Sequence, residues 1–232
     1  MSSKIGQTLF VTGTDTDAGK TVVATALLRA LGAAGCRACG FKPVASGAVQ
    51  TSDGLRSDDA LQLLAAGSTG VAYDDLNPRV FAPPIAPHWA ARQAGVVIDP
   101  ATLLAAHARL AMTHDVVVAE GAGGWLTPLA DDLTLGDWVA GQGWPVLLVV
   151  RLRLGCINHA LLTVESIRQR RSPWLGWVAN AVPVDGPHEP GGALSTLTTR
   201  LGPPLWVQDG FSPPPAQALQ TLLERARAAA GR

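Results

Sequence analysis

A glycine-rich loop near the start of the chain constrains the fold more than any other feature. Residues 13–21 read GTDTDAGKT, follow the apolar run Thr8–Val11 and lead into the helical pattern Val22–Leu31. A strand, a Gly-Lys-Thr loop and a helix in this order are typical of a phosphate-binding P-loop. Backbone N–H groups wrap the phosphate, Lys20 neutralises the outer phosphates and the Thr21 hydroxyl reaches a magnesium ion. The sequence therefore predicts a nucleotide site in this loop.

The alternation of patterns along the chain predicts the fold class. Short apolar runs alternate with segments of helical periodicity, which is typical of an α/β fold with a mostly parallel sheet and helices on both faces. Val116–Ala119 and Val146–Val150 are apolar throughout, as expected of central strands covered on both sides. At 232 residues the chain has the length of one domain, so we expect a single domain over residues 1–232. The predicted strands are Thr8–Val11, Ala38–Phe41, Val116–Ala119, Val146–Val150, Gly176–Ala179 and Leu205–Val207. The predicted helices are Val22–Leu31, Ala60–Ala66, Ala101–Met112, Leu135–Gly141, Asn158–Arg168 and Gln217–Ala229.

Composition and charge disfavour several other classes of protein. Lysine plus arginine equals aspartate plus glutamate at 18 each, so the chain lacks the diffuse positive field of a general nucleic-acid binder. The longest apolar run, Trp144–Val150, is too short to cross a bilayer, and residues 1–7 do not resemble a secretory signal. We expect a cytoplasmic protein whose partners include neither nucleic acid nor a membrane.

Two further polar loops follow predicted strands and carry chemistry that a nucleotide enzyme needs. Residues 42–47 read KPVASG after the second predicted strand, and residues 120–124 read EGAGG after the third. In a parallel sheet both loops converge near the P-loop at the carboxyl edge. Glu120 is either a magnesium ligand or an exposed loop acid, and Asp58 and Asp59 either cap the next helix or serve in the site. The residues alone leave these alternatives open.

Five motifs in a fixed order carry a resemblance to a known family. They are GTDTDAGKT at 13–21, KPVASG at 42–47, EGAGG at 120–124, LGCINHALLT at 154–163 and GWVAN at 176–180. Together they resemble the ATP-dependent dethiobiotin synthetases, which have a P-loop NTPase fold, from about residue 8 to about residue 207. The P-loop has five residues between its two glycines where the strict pattern has four. This longer GTDT form is itself what the family shows.

The resemblance implies a reaction and its cofactors. Members of the family are ligases of biotin biosynthesis that condense 7,8-diaminononanoate with CO₂ and MgATP, giving dethiobiotin, ADP and phosphate. One amine forms a carbamate, the γ-phosphate phosphorylates it to a carbamic-phosphoric anhydride, and the second amine closes the ureido ring. The implied partners are therefore small molecules, with ATP as co-substrate and Mg²⁺ as the metal ion.

The resemblance also implies roles for individual residues. The implied magnesium ligands are Thr21, Asp59 and Glu120. The implied catalytic residues are Lys42, Lys20, Thr16 and Ser46. The implied nucleotide contacts are Asp17, Ala18, Gly19, Lys20, Thr21, Val22, Asp59, Glu120, Gly121, Ala122, Gly123 and Asn180. Asn180 matches the adenine-reading residue of the family, because an amide can both donate to and accept from the purine edge.

The substrate carboxylate is expected at a separate place, supplied by another subunit. The implied substrate contacts are Thr16, Lys42 and Ser46 at the reacting end, and Gly155, Cys156, Ile157 and Asn158 at the carboxylate. Residues 154–158 open a helix whose free N–H groups suit an anion. In the family this segment comes from the neighbouring subunit, so the resemblance implies a homodimer with shared active sites.

The chain departs from the family at two places, and a third position distinguishes it from a related class of ATPases. It reads Val207-Gln208-Asp209-Gly210 where relatives often have Gly-Glu-Ile-Pro, a difference that bears on recognition of base and ribose. Residues 190–193 lack an aromatic hydroxyl that some relatives direct at the substrate carboxylate. Asp15 stands where related partitioning ATPases carry an additional lysine.

Three alternative functions fit parts of the pattern. A partitioning or targeting ATPase shares the P-loop, but it is expected to carry the additional lysine and a basic or amphipathic partner surface. An amidotransferase relative acting on a corrin precursor needs a further glutamine amidotransferase domain, for which this chain has no length. A non-enzymatic nucleotide-binding module gives no reason for Lys42 and Ser46 beside the phosphates. The partitioning or targeting ATPase ranks second.

Overall fold

A six-stranded parallel sheet forms the centre of the fold. The computed structural model describes residues 6–181 and 190–230. The strands are β1 Gln7–Gly13, β2 Ala38–Phe41, β3 Val44–Ser46, β4 Val49–Thr51, β5 Gly54–Arg56, β6 Arg79–Phe81, β7 Val116–Glu120, β8 Val146–Arg151, β9 Trp174–Asn180 and β10 Val207–Gln208. Their order across the main sheet is β10-β9-β8-β1-β7-β2, and each neighbouring pair is parallel. Beside it, β3 pairs with β6 in parallel and β4 with β5 as an antiparallel pair.

Helices cover both faces of this sheet. They are α1 Lys20–Ala33, α2 Asp58–Ala66, α3 Tyr73–Leu76, α4 Pro87–Gln93, α5 Pro100–Thr113, α6 Leu135–Gly141, α7 Cys156–Gln169, α8 Pro190–Leu201 and α9 Ala216–Ala230. Successive side chains of a strand point to opposite faces. Leu9 and Val11 of β1 accordingly pack with α1, α2 and α9, while Phe10 packs with α5 and α6 on the other face. The predicted fold class is confirmed.

The sequence patterns missed several short elements. The strands β3 to β6 and the helix α3 contain three or four residues each, too few to display a periodicity. The helices α4 and α8 begin with Pro87 and Pro190, residues that read as loop signals but fit the first turn of a helix. The strand β10 begins at Val207, two residues later than expected. Within residues 6–181 and 190–230, no helix is both long and apolar enough to cross a membrane.

A buried histidine makes the stability of the fold depend on pH. The side chain of His107 packs against Trp144 with ring centroids 4.4 Å apart, and its Nε2 lies 2.8 Å from Thr8 Oγ1. Burial lowers the pKa of His107 to about 4 from an ordinary value of 6.5. At pH values between these two pKa values, His107 is protonated in the unfolded chain and neutral in the folded protein. Stability is therefore fully present above pH 6.5 and falls by about 1.4 kcal/mol per pH unit toward the folded pKa.

Urea unfolding at about pH 7 and about pH 5 measures this effect. The His107→Gln variant keeps a polar group near Thr8 but does not titrate. We expect the free energy of unfolding of the variant to fall by about 2 kcal/mol less than that of the unsubstituted protein over this interval. An equal loss of unfolding free energy in the two proteins would contradict the lowered pKa of His107.

Candidate active site

The P-loop connects the carboxyl end of β1 to the start of α1. Gly19 precedes α1 with φ 92°, and Asp17 has φ 56°, so two residues of the loop have a left-handed backbone conformation. A side chain at Gly19 would collide with the Asn180 amide, which explains the glycine there. The Nζ atom of Lys20 donates to the Asp15 carbonyl at 3.0 Å, across the mouth of the loop. The loop therefore has the backbone curvature and the cation that a bound phosphate requires.

The ammonium group of Lys20 is buried, and a second cation, Lys42, lies close enough to act on it. Burial, followed by the charge of Lys42, lowers the pKa of Lys20 to about 8 from 10.5. An incoming polyphosphate would offset both effects, because it replaces lost solvation by direct charge pairing. Lys20 is thus prepared for an anionic ligand.

A buried lysine at the end of β2 lies between two carboxylates. Lys42 Nζ is 2.6 Å from Glu120 Oε1 and 2.8 Å from Asp59 Oδ2, and it donates to the Gly121 carbonyl at 3.3 Å. Burial alone would lower the pKa of Lys42, but the charges of Glu120 and Asp59 outweigh it and raise the pKa above its ordinary value. Burial likewise opposes the shift at Asp59, where Lys42 nevertheless lowers the carboxyl pKa. Lys42 is therefore a fixed cation.

Three oxygen-bearing side chains converge beneath the P-loop. Thr21 Oγ1 lies 2.9 Å from Asp59 Oδ1 and 2.8 Å from Glu120 Oε1. Glu120 is fully buried, and its second oxygen, Oε2, has no hydrogen-bond partner among the described residues. Two carboxylates and a hydroxyl are the hard ligands that Mg²⁺ accepts while it keeps several waters. The donor set fits that ion, although the described residues contain no group of three His, Cys, Asp or Glu placed to hold a metal.

The fold places two neighbouring aspartates differently, a choice that the pattern of residues alone left open. Asp58 and Asp59 are the first two residues of α2. Asp58 is exposed, whereas Asp59 turns toward Lys42 and Thr21. Glu120 is likewise buried in the site and is not a loop acid at the surface.

A cleft of about 1120 Å³ extends over these groups. Its size suits a nucleotide with a second small molecule beside it. The predicted residues that line it are Thr16, Asp17, Gly19, Lys20, Thr21, Val22, Lys42, Ser46, Asp59, Ala122 and Gly123. Other predicted residues contact the site without lining the cleft. Ala18 is a buried residue of the loop, Glu120 and Gly121 accept from Lys42 Nζ, and Asn180 donates through Nδ2 to the Ala18 carbonyl at 2.9 Å.

Comparison with known proteins assigns the family. A family model described as an AAA domain matches residues 7–204. The chain is 49% identical over 173 residues to the ATP-dependent dethiobiotin synthetase BioD of Serratia marcescens. The aligned region covers 75% of this chain and 76% of that protein. It is 45% identical over 226 residues to BioD 1 of Salmonella typhi, covering 94% and 98% of the two chains. The chain belongs to the dethiobiotin synthetase family.

Membership of the dethiobiotin synthetase family confirms the expected class of enzyme, an ATP-dependent ligase. Solved structures add only the fold. The septum site-determining protein MinD of Pyrococcus horikoshii is similar with a TM-score of 0.50 and 16% identity, covering 95% of each chain. A ParA family ATPase of Chlorobium tepidum is similar with a TM-score of 0.52 and 14% identity, covering 97% of this chain and 99% of that one. At such identities the similarity shows a shared fold, and it gives no further support to the second-ranked hypothesis of a partitioning ATPase.

The predicted carboxylate segment lies at the start of α7 and does not line the cleft of its own chain. Leu154 reaches the cleft wall and is 91% exposed, whereas Gly155, Cys156, Ile157 and Asn158 stay outside the lining. The side chain of Cys156 is buried in the core. The sequence suggested free N–H groups at this helix start. The Cys156 N–H is not free, because it donates to the Arg153 carbonyl at 3.0 Å where the chain turns into the helix.

Two arginines that hold the P-loop were missed by the sequence analysis. Arg151 Nη1 donates to the Asp17 carbonyl at 3.0 Å, and Arg153 Nη2 pairs with Asp15 Oδ2 at 2.8 Å. Both follow the apolar core of β8, so their position at the carboxyl edge of a central strand was the available signal. Asp15, which replaces the lysine of partitioning ATPases, thus pairs with a cation from the neighbouring loop.

Proposed function

We propose that this chain closes the ureido ring of dethiobiotin from 7,8-diaminononanoate, CO₂ and MgATP, with release of ADP and phosphate. Family membership supports the overall reaction. The observation that carries the proposal for the site is the placement of Lys42, a fixed cation at the cleft wall, in contact with the two carboxylates that the P-loop threonine also contacts. A simple nucleotide-binding module has no use for such a second lysine.

The chemistry brings anions together, and the residues present suit that demand. One amine bonds to the carbon of CO₂ and loses a proton, giving a carbamate. A carbamate oxygen then bonds to the γ-phosphorus as the bond from that phosphorus to ADP breaks. The second amine attacks the carbamate carbon, and phosphate leaves as the ring closes. Lys20 and Lys42 offset the repulsion between carbamate and γ-phosphate and stabilise the charge that moves to the leaving oxygen.

The other cleft residues take supporting roles in this proposal. Thr21, Asp59 and Glu120 would hold Mg²⁺, which would supply positive charge to the phosphates of the nucleotide. Thr16 and Ser46 line the cleft where polar groups can orient the diamine. The P-loop residues and 121–123 surround the phosphates. Asn180, beside the loop backbone, contacts the adenine.

Phosphate release from ATP tests the reaction directly. We expect release to require Mg²⁺, diaminononanoate and bicarbonate together, because each supplies a group that the phosphoryl transfer needs. Mass spectrometry of the product should show dethiobiotin in equal amount with phosphate. Release that continues without the diamine would contradict the proposal and favour a simple ATPase.

The substrate carboxylate lies, in this proposal, against the start of α7 of a second copy of the chain. A nine-carbon substrate anchored at the P-loop needs a distant anion site, and helix N-termini suit anions. Leu154 is 91% exposed and Leu162 of α7 is 58% exposed, so this region offers apolar surface for a homodimer contact. Residues 190–193, which lack the aromatic hydroxyl of some relatives, form the first turn of α8.

Mixing two inactive variants tests the shared site. Lys42→Ala removes the reacting-end cation, and Asn158→Asp places a repelling charge at the carboxylate. After subunit exchange, half of the dimers are mixed and each contains one intact site, so up to about a quarter of full activity should return. A mixture of Lys42→Ala with Lys42→Gln is the matched control and should stay inactive. Failure to restore turnover, with exchange verified by mass, would place each site within one chain.

A further inference from the structure

The main chain of Lys42 is held by a short segment made of α3 and the residue that follows it, Asn77. Lys42 lies just beyond the end of β2, where the sheet no longer supplies partners for its backbone groups. Its N–H donates to the Leu76 carbonyl at 2.7 Å, and its carbonyl accepts from Asn77 Nδ2 at 2.7 Å. The same Nδ2 donates to the Arg79 carbonyl at 3.1 Å. Two adjacent residues therefore fix both polar groups of the Lys42 peptide.

The same segment also holds the start of α2, which carries Asp59. Ser57 precedes this helix, and its N–H donates to the Tyr73 hydroxyl at 2.7 Å. The hydroxyl in turn donates to Asn77 Oδ1 at 3.0 Å. The guanidinium of Arg56 lies over the Tyr73 ring, 4.1 Å from its centroid, and covers the outer side. Tyr73 and Asn77 are both buried, so water does not compete for these bonds.

These contacts form one chain of hydrogen bonds from the backbone of Ser57, two residues before Asp59, to the backbone of Lys42. Ser57 N–H, Tyr73 hydroxyl, Asn77 amide and Lys42 carbonyl follow one another in order. At the far ends, the side chains of Asp59 and Lys42 meet at 2.8 Å. The Asp59 side chain is 45% exposed, so its own surroundings leave it room to move. A rigid link between the two backbones limits that freedom.

We propose that Tyr73 and Asn77 are positioning residues that set the spacing between Lys42 and Asp59 and thereby the geometry of the carboxylates beneath the P-loop. Neither residue lines the cleft, and neither touches a reacting group. The role in turnover rests on the proposed function, whereas the role in spacing does not. Displacing a supporting group by about 1 Å can reduce the rate of an enzyme by about a hundredfold.

The isosteric substitution Tyr73→Phe tests the link. It keeps the ring and its Arg56 contact but removes the hydroxyl that joins Ser57 to Asn77. We expect kcat to fall by about tenfold or more while KM for ATP changes by less than about twofold, because the P-loop itself is untouched. Mn²⁺ titrated by electron paramagnetic resonance in the presence of ADP should bind several-fold more weakly. Amide exchange at Ser57 and Lys42 should accelerate.

Two controls separate positioning from general loss of stability. Asp74→Asn changes an exposed residue of the same short helix and should leave all these measurements as they were. Ile167→Val shortens a buried side chain at the far end of α7 and should lower Tm without a change in Mn²⁺ affinity or kcat. Asn77→Asp puts an oxygen where Nδ2 donated to two carbonyls, and it should reproduce the defects of Tyr73→Phe more strongly.

The outcomes are distinct. A lower Tm in Tyr73→Phe with unchanged Mn²⁺ affinity and unchanged kcat would overturn the positioning role. If the unsubstituted protein formed no dethiobiotin, the proposed function would fail, but weaker Mn²⁺ binding and faster exchange in Tyr73→Phe would still support the link. If Asn77→Asp does not fold, the isosteric Tyr73→Phe variant decides alone.

Discussion

Replacing Lys42 by glutamine is expected to lower kcat for dethiobiotin formation by about a thousandfold. In the proposed reaction its charge acts where carbamate and γ-phosphate meet, and such a charge is worth more in the transition state than in the ground state. Nucleotide affinity should survive, because the P-loop and Lys20 remain. Steady-state kinetics with a separate ADP titration measure the two effects. A higher KM with unchanged kcat would show that Lys42 binds substrate without assisting the chemistry.

The same substitution should also destabilise the fold, because it leaves Glu120 charged and buried without its cation. Removing one partner of a buried ion pair costs about 3 kcal/mol or more. Adding Glu120→Gln to Lys42→Gln removes that uncompensated charge. We expect the double variant to recover much of the lost unfolding free energy and none of the activity. Recovery of turnover by the double variant would contradict the catalytic role.

Replacing Lys20 by alanine is expected to abolish turnover, with a loss of about a thousandfold or more. Its ammonium group is the cation at the mouth of the P-loop, and burial removes most of its contact with solvent. Without it, the outer phosphates lose a direct charge partner in both the ground state and the transition state. ATP affinity and kcat should therefore both fall, unlike the result expected for Lys42→Gln.

The matched control is Arg29→Ala, which removes an exposed cation from the same helix, α1. It should leave phosphate release and nucleotide affinity unchanged, because its charge is screened by water. Unchanged turnover in Lys20→Ala would refute the assignment of the nucleotide to residues 13–21.

Much of the fold could be predicted from the chain because the signals are local. Six strands are short apolar runs and six helices have their own periodicity, and the P-loop is a contiguous strand, loop and helix whose glycine, lysine and threonine follow one another. The segment of α8, in contrast, begins with Pro-Gly-Gly, whose loop signals hide the helix that follows.

The sequence at 207–210, which departs from the family, has a structural role in the folded chain. Gln208 is a buried brace that accepts from Trp206 Nε1 and donates to the carbonyls of Gly210 and Ser212.

Local patterns of residues were enough to predict the fold class and the nucleotide loop, and five ordered motifs were enough to predict the family. The resemblance implied Asp59 as a ligand, but the contacts themselves come from the folded chain: Asp59 and Glu120 meet Lys42, and Tyr73 and Asn77 join the two segments. Lys42 and Glu120 are 78 residues apart along the chain, yet their side chains meet at 2.6 Å. Such contacts depend on how β2, β7 and α2 pack against one another, and the local pattern of residues contains no measure of that packing.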